Sequence, residues 1–150
     1  MRISYGKILL SSLLLLLLVS CGEDDPVIPQ SDHEEAIGLA LFHSDTLRAS
    51  ILRGVPGDTL RVALGEDSEE YDVRFYNDAE AIFEVHDAEK TFSWEIEDAS
   101  IIEVVQDNGK EGRFEFRFRG LAPGSTNVEF FILHQGHADF RSGKWPVVVQ

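Results

Sequence analysis

From residue 37 to the last residue, apolar side chains recur at nearly every second position, and this alternation constrains the fold more than anything else in the chain. A period of two lines one face of a β-sheet, whereas a helix needs a period near 3.6. Nine segments carry it. They are residues 37–42; 47–52 with Leu47, Ala49 and Ile51; 60–64 with Leu60, Val62 and Leu64; and 71–75 with Tyr71, Val73 and Phe75. The others are 92–96 with Phe92, Trp94 and Ile96; 101–105; 114–118 with Phe114, Phe116 and Phe118; 128–134 with Val128, Phe130 and Ile132; and 145–149.

Turn residues punctuate these segments at sandwich-like intervals, notably Gly54-Val55-Pro56-Gly57-Asp58, the stretches 65–70 and 107–112, Ala122-Pro123-Gly124-Ser125 and Ser142-Gly143-Lys144. Only residues 78–84 have helix-forming composition, and they lack a long apolar stripe, so no helix beyond a turn or two is expected. The pattern predicts an all-β fold, an antiparallel β-sandwich over residues 37–150. A chain of 150 residues leaves no room for a second globular domain. With one cysteine there is no disulfide framework, so stability must come from a core to which ten Phe, three Tyr and two Trp contribute.

The 27 acidic and 13 basic side chains give a formal charge of −14, which excludes nucleic acid as a partner because a polyanion would be repelled. Arg2 and Lys7 are the only charged residues among the first 20 and precede a run of 12 residues, 8–19, in which only Ser11 and Ser12 are polar. As a helix that run would span roughly 18 Å, short of the ~30 Å hydrocarbon core of a bilayer, so residues 1–20 read as a removed secretion signal.

Leu18-Val19-Ser20-Cys21 resembles the lipobox of bacterial lipoproteins: an aliphatic residue, two small residues and a cysteine. The resemblance implies cleavage before Cys21 and its diacylation, and two acyl chains anchor a protein stably where one does not. Cys21 would then offer no thiol for catalysis, a disulfide or a metal. Residues 21–36 form an acidic tether with two prolines and no aromatic residue, and 14 of them could reach roughly 45 Å from the bilayer. The run Glu23-Asp24-Asp25 is similar to acidic tethers that send some lipoproteins to the cell surface. It reads equally as a solvated linker. Gly22, where the best-known inner-membrane retention signal has Asp, favours the outer membrane, at its periplasmic face or at the cell surface.

Residues 92–149 resemble a bacterial immunoglobulin-like domain of the group 2-like kind found in envelope proteins and adhesins. The residues that carry this are Trp94, Asp98-Ala99-Ser100-Ile101 leading to Val104, Gly120-Leu121-Ala122-Pro123-Gly124-Ser125-Thr126, and a closing valine-rich strand. The resemblance implies an immunoglobulin-like sandwich with Trp94 and Leu121 in the core. The charged turn at 107–112 and the His-rich segment near the end depart from it, and a fold does not fix a function.

One local cluster could carry chemistry: His134, His137 and Asp139 in His134-Gln135-Gly136-His137-Ala138-Asp139-Phe140. Two imidazoles and a carboxylate suit zinc, nickel or copper. On a regular strand His134 and His137 have opposite parity and point apart, so convergence would need Gly136 to break the strand, with a further ligand from His43, Glu84, His86 or Asp87. The same segment reads more simply as a polar loop between the last two strands, in which His134 caps the core and Asp139 makes a turn hydrogen bond. The stripe Arg113, Glu115, Arg117, Arg119 alternates with three phenylalanines and should face solvent, pairing across strands or meeting an anionic ligand.

The chain contains no Gly-x-Ser-x-Gly, Gly-x-x-x-x-Gly-Lys, Gly-x-Gly-x-x-Gly or His-Glu-x-x-His motif. A calcium loop over 107–118 fails because Gly109 and Phe118 stand where oxygen ligands belong. The sequence thus points to a lipid-anchored envelope protein, a non-catalytic binding or accessory module, with transition-metal capture at His134, His137 and Asp139 as its most concrete version. The alternative is a structural or adhesive module that meets a protein or glycan through strand edges and loops.

Overall fold

The structure is a computed structural model that describes residues 35–150. The leader at 1–20, Cys21 and the tether expected at 21–36, apart from Glu35 and Ala36, lie outside the described residues. The twelve strands are β1 Gly38–His43, β2 Thr46–Leu52, β3 Val55–Pro56, β4 Leu60–Val62, β5 Tyr71–Tyr76, β6 Ile82–Phe83, β7 Lys90–Ile96, β8 Ile102–Val105, β9 Glu115–Gly120, β10 Gly124–His134, β11 His137–Arg141 and β12 Trp145–Val149. No helix occurs among the described residues.

The all-β antiparallel sandwich expected from the alternation is the architecture that forms. One sheet runs β3-β2-β1-β5-β9-β8, with β6 also on β5; the other runs β11-β10-β12-β4, with β7 on the opposite edge of β10. All named pairs are antiparallel except β12 with β4. The inward-facing residues of the two sheets meet in one aromatic core: the Phe92 and Phe130 rings stack at 5.3 Å, and Phe116 lies 5.2 Å from Phe130 across the sandwich. Phe75, Phe116, Phe118, Phe130 and Trp145 are all buried to 2% exposure or less, so large rings fill the space between the sheets without any disulfide.

Turn chemistry sets three of the hairpins. Two-residue loops at Ser44-Asp45, Arg53-Gly54 and Gln135-Gly136 join paired strands, and both residues of each have positive φ, as in a type I′ turn. Gly120 is where the two sheets meet: Leu64, beyond the end of β4, bridges to it, and a Cβ there would lie 2.4 Å from the Ala63 carbonyl oxygen.

Several expectations need correcting. The segment 60–64 pairs as a strand only to Val62. Three strands lack the alternation and are not among the nine expected: β3 and β6 have two residues each, and β11 turns only Phe140 into the core. Residues 78–84 contain β6 rather than a helical turn. Trp94 is half-buried at the side of the core, 5.9 Å from Phe92; the fully buried indole is Trp145, whose Nε1 donates to the Asp58 carbonyl at 2.8 Å. Leu121 is 46% exposed, because the chain leaves β9 at Gly120 and turns outward, with the Leu121 N–H donating to the Ile101 carbonyl.

Candidate functional site

β7, β10 and β11 bring their polar ends together at one end of the sandwich. The Gln135-Gly136 turn makes His134 and His137 direct cross-strand partners, so the two residues project to the same face of the ladder rather than to opposite faces. On the other edge of β10, His134 is in register with Lys90. Ala138 pairs with Leu133 and Phe140 with Ile132, which leaves Asp139 as the extra residue of a β-bulge. The bulge re-aims its carboxylate at His134.

The contacts around His134 determine what this cluster can hold. Its Nδ1 lies 3.6 Å from Asp139 Oδ2, and its Nε2 lies 3.2 Å from Glu89 Oε2. Gln135 Nε2 donates to the same Glu89 oxygen at 3.2 Å, and Lys90 Nζ sits 3.5 Å from Asp139 Oδ2. The hydrogen bond from His134, followed by that from Gln135, holds the Glu89 carboxyl below its usual range. The carboxylates flank opposite nitrogens of one imidazole, so no single ion can take both of them together with the ring. An ammonium group already sits on Asp139. Among the described residues no group of three or more His, Cys, Asp or Glu side chains is arranged to hold a metal ion. His134 and Asp139 of the sequence-derived triad are brought together; His137 stands opposite but is exposed and has no polar side-chain contact among the described residues. His43, Glu84, His86 and Asp87 do not join it.

Lys90 links this cluster to a groove of about 540 Å³, within the range of small-ligand sites. His86 and Asp87 on the crossing from β6 to β7 line one side, and Arg113 and Phe114 line another. The sequence hid this groove because most of its lining comes from the loops at 85–88 and 111–114, which only the tertiary fold brings together.

The arginine stripe resolves mainly into ion pairs with carboxylates on neighbouring loops, with Glu103 on β8 as the cross-strand partner of Arg119. Arg119 Nε meets Asp67 Oδ1 at 2.6 Å, and Arg117 reaches both Glu70 and Asp107, the latter at 2.7 Å. Lys110 ties Glu70, Asp107 and Glu115 into the same network. The hydrogen bonds from Arg119 and Arg117 hold Asp67 and Asp107 below the ordinary aspartate range. Arg113, by contrast, makes no ion pair among the described residues and opens onto the groove.

No protein-family model matches the chain, and no curated protein matches it. Among solved structures it is similar to domains 4 and 5 of the S-layer protein SbsC, at a TM-score of 0.42 and 18% identity over 74% of this chain. The chain spans 53% of the length of that structure. It is similar also to domains 4–9 of the same protein, at a TM-score of 0.44 and 19% identity over 63% of this chain and 13% of that one.

Proposed function

We propose that this protein is a lipid-anchored component of the bacterial envelope whose sandwich serves as a non-catalytic binding module. The observation that carries the reading is Cys21, the sole cysteine, set behind Leu18-Val19-Ser20 at the end of an apolar leader. The body at 35–150 supports it by building its core from aromatic rings without a thiol, so the cysteine is free to carry lipid. The acidic tether stands the body off the bilayer, at the periplasmic face of the outer membrane or at the cell surface. The partner is a protein or a glycan. The candidate binding face is the groove beside Lys90, where charged side chains surround the Phe114 ring.

Metabolic labelling with radioactive palmitate tests the anchor. Wild type should carry the label and sediment with membranes, and Cys21→Ser should lose the label and become soluble. An unlabelled wild-type chain in the soluble fraction would overturn the reading.

A further inference from the structure

Most free edges of the two sheets are blunted. β3 is two residues long and contains Pro56, β4 and β8 are short, and β11 carries the Asp139 bulge and Arg141. β7 is the exception. It runs seven residues in unbroken register with β10, from Lys90 opposite His134 to Ile96 opposite Val128, and pairs with no other strand among the described residues. A long, regular and uncovered edge is what folded proteins usually avoid.

The direction of its free groups follows from two bonds. The Phe92 N–H donates to the Gly112 carbonyl at 2.7 Å, on the side away from β10, while the Glu97 N–H donates to Asn127 on the β10 side. By the period of two, the N–H and C=O of Trp94, the C=O of Phe92 and the N–H of Ile96 all point outward from the sheet. None has a partner among the described residues. Gly112 therefore pairs with the start of this edge and leaves the rest open.

A second observation concerns charge. Glu95 is the direct cross-strand partner of Glu129, and like charges in that position are unfavourable. Glu129 has Arg141 at 3.9 Å, whereas Glu95 has no cationic partner among the described residues. On an adjacent strand, the side chain beside Glu95 would lie on the outer face, and its neighbours would lie beside the half-buried Trp94 ring.

We infer that the outer edge of β7 binds an extended basic peptide segment by strand addition, with alternate cationic residues beside Glu95 and apolar residues against Trp94. A second copy of this chain does not fit, since its own edge would bring further carboxylates to a molecule of charge −14. This inference rests on the binding-module reading and names its partner. Palmitate labelling can fail while the peptide binds, and the reverse, so the two are separable.

The test uses the purified full chain and the synthetic peptide acetyl-(Lys-Val)3-Lys-amide, with the peptide in which Glu replaces Lys as control. Binding should be saturable in calorimetry for the lysine peptide only, and should slow hydrogen exchange at the Trp94 and Ile96 amides. Ile96→Pro deletes an outward donor without touching the β10 ladder and should weaken binding about tenfold. Glu95→Lys, which alters only an exposed side chain, should weaken it at least as much while leaving Tm within a few degrees. Equal binding of both peptides, undiminished binding by Glu95→Lys, or a dimer whose Trp94 and Ile96 amides are already protected would overturn the inference.

Discussion

Ser142 stands in for a strand partner of Phe130. The Phe130 N–H donates to Ser142 Oγ at 2.9 Å, and the Ser142 N–H donates back to the Phe130 carbonyl at 2.9 Å. This exchange falls where β10 passes from pairing with β12 to pairing with β11, so one buried hydroxyl completes the ladder across the break. Ser142 is 1% exposed, and water cannot replace it. Ser142→Ala should therefore cost about 1–3 kcal/mol in urea unfolding, because it leaves the Phe130 donor without an acceptor. Ser125→Ala, at an exposed position on the same strand, should change stability by no more than about 0.5 kcal/mol.

Gly120 makes a different kind of demand. A methyl group there would lie 2.4 Å from the Ala63 carbonyl oxygen and 2.9 Å from Val149 Cγ1, so β9 could not approach the end of β4. Gly120→Ala should destabilise by about 1–3 kcal/mol through overpacking, measured by thermal or urea unfolding. Gly65→Ala offers a contrast: its φ of +74° is strained for alanine, but nothing lies within 4 Å, so only the backbone cost of about 1–2 kcal/mol should appear.

Phe92, Phe116, Phe130 and Val147 fall on the inward parity of their strands, and all are buried as the period requires. β11 escaped that pattern because the Asp139 bulge breaks its parity and leaves Phe140 as its one core residue. Trp94 and Trp145 both fall in strand-forming segments, and only the topology decides which indole is central: Trp145 sits on β12 between β10 and β4, Trp94 on the edge strand β7. The candidate site was half legible. His134 and Asp139 do meet, and the chain reversal that convergence requires does occur at Gly136, which with Gln135 sets His137 opposite His134, although His137 joins no polar contact there. Glu89 and Lys90, their actual partners, lie some 45 residues away in sequence, and no local pattern points to them.

Stability should fall with acid in a definite window. Asp67 and Asp107 are held below their ordinary value of 3.8 by arginine hydrogen bonds, and Glu89 below 4.5 by His134. Each depressed group stabilises the fold above the unfolded value and loses that contribution as pH falls through the lower folded value, because the unfolded chain then binds more protons. Tm should be flat between about pH 5 and 6 and decline progressively below about pH 4.5. Arg119→Ala should make that decline shallower, since Asp67 loses the bond that depresses it. An unchanged slope would assign the acid sensitivity to other carboxylates.

Zinc provides the sharpest test of the His134 cluster. Coordination would require His134 to give up Glu89 or Asp139, and Asp139 to release Lys90, before a third ligand could come from the exposed His137. Structural zinc sites hold four ligands at about 2.0–2.3 Å, a geometry that these flanking carboxylates do not approach. Calorimetric titration should therefore show zinc uptake that is weak and scarcely altered by the His134→Ala, His137→Ala double variant. His134→Ala alone should instead loosen the hairpin, removing the group that joins β11 to the residue preceding β7. Faster amide exchange at 137–139 would report it, and tight stoichiometric zinc uptake lost in the double variant would show that the cluster rearranges around a metal.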